Sequence, residues 1–308
     1  MTAMNRRDAL RLITGTMGVV AYSSHAVPSA PAGNAILKRP IPSSGEMLPV
    51  VGLGTWQTFD VGSGSAERAP LQKVLQTFID HGGSVIDSSP MYGRSEDVAG
   101  QLASQLGLRP KLFVATKVWT QGKSAGVKQM QESLRKLRAD PIDLIQVHNL
   151  VDVETHLDTL REWKRDGRVR YIGITHYTAS AQGEVLRVAQ AHPIDFIQIN
   201  YSVGEREAEN RLLPFARDKG IAVIANRPFA SGDLFRRLRN KPLPAWAGEI
   251  DCHSWAQLML KYVISHPAIT CAIPATSNPG HVVDNMQAGF GRMPDARLRD
   301  MIVAEVSA

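Results

Sequence analysis

Eight short runs of β-branched and apolar residues recur along the chain, separated by segments with helical periodicity. The runs are VVGLGT (50–55), SVID (84–87), LFVAT (112–116), DLIQV (143–147), VRYIGIT (169–175), DFIQIN (195–200), IAVIAN (221–226) and ITCAIP (269–274). Most are continuous apolar stretches, the pattern of parallel strands covered on both faces. Between them, Val127, Met130, Leu134 and Leu137 fall at steps of three and four, as do Leu157, Leu160 and Trp163. Gly82, Gly107, Gly167 and Gly220 each stand just before a strand, where a helix would stop. Eight strand–helix units in about 250 residues predict an α/β chain folded as a (β/α)8 TIM barrel. A doubly wound sheet would normally show G-x-G-x-x-G after its first strand. Here the first run continues as GLGTWQTFDVGSGS, which lacks that spacing. The preceding ILKRPIPSSGEMLPV predicts an N-terminal β-hairpin that turns at Ser43 to Gly45 and plugs the barrel's bottom. About 28 residues part the seventh run from the helical SWAQLMLKYVISH (254–266), long for a loop of this fold. Long loops on the C-terminal face usually serve the site.

Composition narrows the function classes. With 44% apolar and 21% charged residues, the 308-residue chain is neither disordered nor collagen-like. The net charge of +6 comes from scattered basic residues without a long Lys/Arg run. That distribution suits an anionic small ligand and argues against nucleic acid. Two cysteines exclude a disulfide framework and a four-cysteine zinc site. Cys271 sits in ITCAIP as a small hydrophobe and Cys252 precedes a helix, so they are expected to stay unpaired. Residues 1–30 read apart from the fold. Arg6 and Arg7 precede an apolar stretch from Leu12 to Tyr22, too short to span a bilayer, and Ser24 and Ala26 fit a cleavage site. The segment resembles a bacterial twin-arginine signal peptide with its linker. It predicts a barrel over 31–308, delivered by the twin-arginine export machinery to the periplasm as a soluble protein.

Polar residues cluster where the strands end. The second run ends in Asp87, the third at Lys117, the fourth at His148, the fifth at Thr175 and His176. Gln198 lies near the end of the sixth run, and Asn226 and Arg227 close the seventh. In a barrel these ends open on one face, where active sites of this fold lie. An Asp, a Lys and a His are each costly to bury unpaired, so they are expected to satisfy one another around a pocket. Tyr92 follows Asp87 by five residues, on the loop over the same mouth. An ammonium beside a phenol lowers its pKa, so Lys117 is expected to bring Tyr92 toward neutral pH, with Asp87 holding the lysine. His148 would donate to the oxygen of a bound carbonyl. This is a set for acid catalysis, without an H-E-x-x-H metal pair.

The order D-x4-Y, K, H at the ends of strands two, three and four resembles the aldo-keto reductase superfamily. GLGTW, SPMYGRSE, ATKVW, QVHN and AIPATSNPGHVVDN agree with it, over roughly residues 36 to 292. The resemblance implies reversible hydride transfer between a nicotinamide cofactor and the carbonyl carbon of an aldehyde or ketone. Tyr92 would be the general acid, Lys117 and Asp87 would tune it, and His148 would orient the carbonyl. Trp56 matches a pocket-wall tryptophan, and Gly54, Thr55 and Trp56 match the wall at the nicotinamide ribose. Thr175 and His176 stand where the family often has Ser-Asn, and Gln198 matches its carboxamide-binding Gln. Asn226 replaces an aromatic that stacks on the ring. Arg227, Phe229, Ser231 and Leu234 would form the belt over the pyrophosphate. Thr276, Ser277 and His281 occupy positions where NADPH-preferring members place Lys and Arg, and Asp284 and Asn285 match the pair at the adenine. Ala275 and Asn278 cannot pair with a phosphate charge, and His281 does so only when protonated. NADPH is therefore the expected cofactor, with NADH the alternative. A rival reading is an exported dinucleotide-binding or redox-sensing module with little turnover. Specificity is expected in 57–66, 118–125 and 227–252, where Phe59, Trp119 and Trp246 either line an apolar pocket or pack the loops. Nothing in the sequence sets an oligomeric state.

Overall fold

The computed structural model describes residues 35–307; the expected signal peptide and linker at 1–30 lie outside them. An antiparallel hairpin comes first, β1 (Lys38–Pro40) against β2 (Met47–Pro49), with Lys38 opposite Pro49. Its turn falls where expected: Gly45 donates to Ile41 O at 2.8 Å. Gly45 has φ +78°, a backbone region that a Cβ would strain.

The barrel then runs β3 (Leu53–Gly54), α1 (Ser65–Asp80), β4 (Val85–Asp87), α2 (Ser95–Gln105), β5 (Phe113–Val118), α3 (Lys123–Leu137), β6 (Ile142–His148) and α4 (Val153–Arg165). It continues with β7 (Val169–Thr175), α5 (Gln182–Ala191), β8 (Phe196–Asn200), α6 (Leu212–Lys219), β9 (Ala222–Asn226), a short α7 (Asp233–Leu238) and α8 (Trp255–Ser265). β10 (Cys271–Ala272), α9 (Pro279–Gln287) and α10 (Ala296–Ser307) complete it. Strands β3 to β10 form one parallel sheet in chain order. The ring closes through Gly52 N–H to Ala272 O at 2.8 Å, Ala272 N–H to Val50 O at 2.9 Å and Gly54 N–H to Pro274 O at 3.0 Å. A Cβ at Gly54 would stand 2.9 Å from Ile273 O, so the seam needs glycine there. All eight expected strands are present, and α7 sits inside the long 227–252 segment.

Two apolar layers follow from the double burial of the strands. Val85, Phe113, Leu144, Tyr171, Phe196 and Ile224 fill the barrel interior, and the hairpin adds Ile41 and Leu48 from below. Outside, Leu71, Val74, Leu75 and Phe78 of α1 and Leu157, Leu160 and Trp163 of α4 pack on the sheet. Cys271 lies in the inner layer and Cys252 in the outer one, both free, as expected. Among the described residues no helix is long and apolar enough to cross a membrane.

Register sets the site. Gly54 pairs with Asp87, Lys117 with Gln146, His148 with Thr175, Thr175 with Gln198 and Asn200 with Asn226. The polar strand ends therefore stand side by side around one rim.

Candidate active site

Asp87 ends β4, Lys117 lies one residue before the end of β5, and His148 ends β6. Lys117 Nζ donates to Asp87 Oδ2 at 2.7 Å and to Ser88 O at 2.6 Å. It also lies 5.1 Å from the centre of the Tyr92 ring. That ring meets His148 edge-on, with centroids 6.0 Å apart. Four residues from three strand ends and one loop thus converge. The loop carrying Tyr92 is pinned on both sides. Thr55 Oγ1 lies 2.9 Å from Ser88 Oγ, and Ser95 Oγ donates to Thr55 O at 3.3 Å. On the other side, Thr116 Oγ1 donates to the buried Glu96 at 2.6 Å, tying the first turn of α2 to the strand that carries Lys117.

Burial alone would depress the Lys117 ammonium, but Asp87 and Tyr92 beside it outweigh that, and its pKa rises. Lys117 stays charged. For Tyr92 the balance corrects the expectation from sequence. Burial raises the phenol by more than Lys117 lowers it, and Asp87 adds to the rise. Tyr92 therefore holds its proton at neutral pH, the state needed to give one to a developing alkoxide. His148 falls to about 3, chiefly through burial, with Lys117 and His176 adding to it. It is a neutral hydrogen-bond donor. Together the groups can protonate and polarise a carbonyl oxygen placed in the mouth.

A sequence profile described as the Aldo/keto reductase family matches residues 50–301. The chain belongs to that family. Methylglyoxal reductase YeaE of Escherichia coli (strain K12) is 31% identical over 259 residues, covering 80% of this chain and 88% of its own. Two solved aldo/keto reductases from Klebsiella pneumoniae are each 26% identical. The one in complex with NADPH superposes with a TM-score of 0.73, covering 87% of this chain and 96% of its own. The other, in complex with NADP and acetate, gives 0.69, covering 84% and 91%.

In this aldo/keto reductase the other expected residues divide into two groups. Thr175, Gln198, Asn226 and His176 line the mouth at the ends of β7, β8 and β9. Gln198 accepts from Gln146 Nε2 at 2.7 Å and reaches Asp87 Oδ2 at 3.4 Å. His176 Nδ1 accepts from the N–H groups of Tyr177 and Thr178 at 3.0 and 3.3 Å, which leaves Nε2 as the protonated nitrogen. The histidine thus keeps a donor at the position where the resemblance implies Asn. Asn226 Nδ2 donates to His176 O at 3.3 Å, while its buried Oδ1 has no partner among the described residues. Trp56, Ser231, Ser277 and His281 are exposed on the rim, and Phe229 is half-buried against Phe235. The second group is engaged within the fold. Thr55 is fully buried against Asp87 O and Ser88, and Leu234 lies in the core. Arg227 donates to Tyr177 O at 3.1 Å and faces Glu205 at 3.7 Å. Thr276 caps Asn278 N–H at 3.0 Å and lies 3.4 Å from His281. Asp284 accepts from Ser254 at 2.9 Å and Gln257 at 2.7 Å, holding the start of α8, with Asn285 buried beside it.

Of the three loop aromatics, Phe59 is fully buried and packs its loop, and Trp246 leans half-buried on the core. Trp119 is 41% exposed. It shares the mouth loops with three more large apolar side chains, Trp56, Met91 and Tyr177, each at least 40% exposed. Sequence reasoning missed Ser88, Ser89, Glu96 and Gln146. Gln146 had a readable signal: it stands two residues before His148, on the same strand face, between the apolar Ile145 and Val147.

Proposed function

We propose that the chain reduces the carbonyl of an aldehyde or ketone with NADPH, using Tyr92 as the general acid. The observation that carries this reading is the Asp87–Lys117 pair at 2.7 Å set under the Tyr92 ring and beside His148. The mouth fits a nicotinamide cofactor. Asn226 Oδ1 and Gln146 Oε1 are buried without partners among the described residues, and His176, bonded to Asn226 through its backbone carbonyl, keeps an Nε2–H, a donor and acceptor set suited to a carboxamide. A bound reduced nicotinamide supplies the two electrons and the hydrogen that the carbonyl carbon takes up. His148 and Tyr92 hold the carbonyl oxygen by hydrogen bonds. As charge develops on that oxygen, the Tyr92 proton moves to it, and the Lys117 ammonium stabilises the phenolate left behind. Trp56, Met91 and Trp119 shield the mouth and favour substrates with an apolar part. Ser277 and His281 remain available on the rim for the 2′-phosphate. A site without Lys or Arg at these positions implies a modest preference for NADPH over NADH.

NADPH oxidation by the purified protein tests the reading, with a carbonyl panel that begins with methylglyoxal, the substrate in the name of the Escherichia coli relative. Sustained turnover is expected. One burst equal to the protein concentration would favour a dinucleotide-holding module instead. We further propose that residues 1–30 direct export through the twin-arginine route to the periplasm, supported by Arg6 and Arg7 before the short apolar stretch. Replacing both arginines with lysine should abolish periplasmic delivery; delivery at the wild-type level would remove the claim.

A further inference from the structure

His148 is useful as a donor only if its proton sits on the nitrogen facing the mouth. Ser89 Oγ lies 3.1 Å from His148 Nδ1, and both residues are buried. The serine hydroxyl has one proton. Its oxygen already receives the Met91 N–H at 3.4 Å, and its backbone carbonyl receives the Tyr92 N–H at 3.0 Å. The hydroxyl is thus held by the backbone of the Tyr92 loop, with Nδ1 as the acceptor in reach of its proton. We infer that Ser89 is a positioning residue that donates to His148 Nδ1 and locks the imidazole as its Nε2–H tautomer. The inference rests on the proposed carbonyl reduction and adds the group that makes His148 a hydrogen-bond donor toward substrate. It also links the two oxygen-facing residues: one serine fixes the His148 tautomer through its side chain and the Tyr92 turn through its carbonyl. The charged groups around His148 agree with a neutral ring. Burial, the Lys117 ammonium and His176 oppose a second proton, and the Tyr92 ring, the other titratable neighbour, meets it edge-on.

The test combines a tautomer readout with turnover. Nitrogen NMR of the resting, histidine-labelled wild-type protein should show His148 protonated at Nε2 and bare at Nδ1. In Ser89→Ala the tautomers should mix, and kcat/KM should fall about two- to tenfold, the worth of one neutral hydrogen bond, with NADPH affinity unchanged. Ser89→Thr keeps the hydroxyl and should restore the wild-type tautomer. A wild-type ring protonated at Nδ1 would overturn the inference, as would Ser89→Ala retaining both the tautomer and the wild-type kcat/KM. The spectrum is read without turnover, so a failure of carbonyl reduction itself is seen separately, in the wild-type assay.

Discussion

At the bottom of the barrel, Asp143 accepts from Arg170 at 2.6 Å and from Val114 N–H at 2.7 Å, with Arg109 at 3.8 Å. Arg170 also grips Glu46 of the hairpin, and Tyr171 OH donates to Glu46 at 2.8 Å. At the mouth, Asp87 binds Lys117 through Oδ2 alone, while Oδ1, Gln146 Oε1, Asn149 Oδ1 and Asn226 Oδ1 are buried without partners among the described residues. Both ends bury charge. The lower network engages both oxygens of its aspartate inside the fold, sealing the plug. The upper one leaves four side-chain oxygens without partners among the described residues. Arg109 Nε at the lower end and Ser133 Oγ, His156 Nδ1 and Arg161 Nε on the helices are also unpartnered among those residues, so what sets the mouth apart is four carbonyl-type oxygens gathered toward the C-terminal ends of the strands.

Substitutions at the two ends should separate these roles. Lys117→Met is expected to have the largest effect. It should lower kcat/KM by about 10²–10⁴-fold and raise the Tyr92 pKa further, since the one charge that lowers it is lost. The pH–rate profile of the residual activity reads that rise. At the other end, Asp143→Asn should cost about 1.5–3 kcal/mol of stability by urea unfolding, the scale of a hydrogen bond to a charged group. Its kcat/KM should stay near wild type; a large loss there would end the division between plug and mouth.

On the rim, His281→Arg should improve the NADPH over NADH preference by about 1.5 kcal/mol in dissociation constants, through a charge-assisted bond to the 2′-phosphate. An unchanged ratio would place that phosphate elsewhere on the rim. The smallest effect is a pH slope shared by both ends. His148 at the mouth drops from 6.5 to about 3, and His266, behind the last strand, to about 4, each chiefly through burial. The unfolded chain binds protons at both below 6.5 that the native chain does not, so stability falls as pH drops toward those values. Removing either imidazole should flatten the slope, but only the loss of His148 should also cost activity. Urea midpoints across that window check the slope.

The two ends were also unequally legible. Asp87, Lys117 and His148 could be read because each is the polar stop of an apolar strand, and parallel register carries such stops to one rim. Glu46 and Arg170 stand 124 residues apart, and nothing local in the sequence pairs them. Ser89 and Glu96 were hidden for the same reason, since their partners lie on other strands. Phe59 and Trp119 look alike as loop aromatics, yet one is swallowed by the core and the other faces solvent. The Tyr92 shift turned on how much burial opposes the lysine, a balance of opposing effects that adjacency in sequence does not contain.

The most direct measurement is the single-turnover rate of carbonyl reduction by Tyr92→Phe with saturating NADPH. That substitution removes one oxygen and leaves the plug, the Asp87–Lys117 pair and the cofactor rim in place. The rate should fall by about 10²–10⁴-fold, with NADPH affinity and unfolding midpoint near wild type. A variant that keeps more than about half of the wild-type rate would contradict the account.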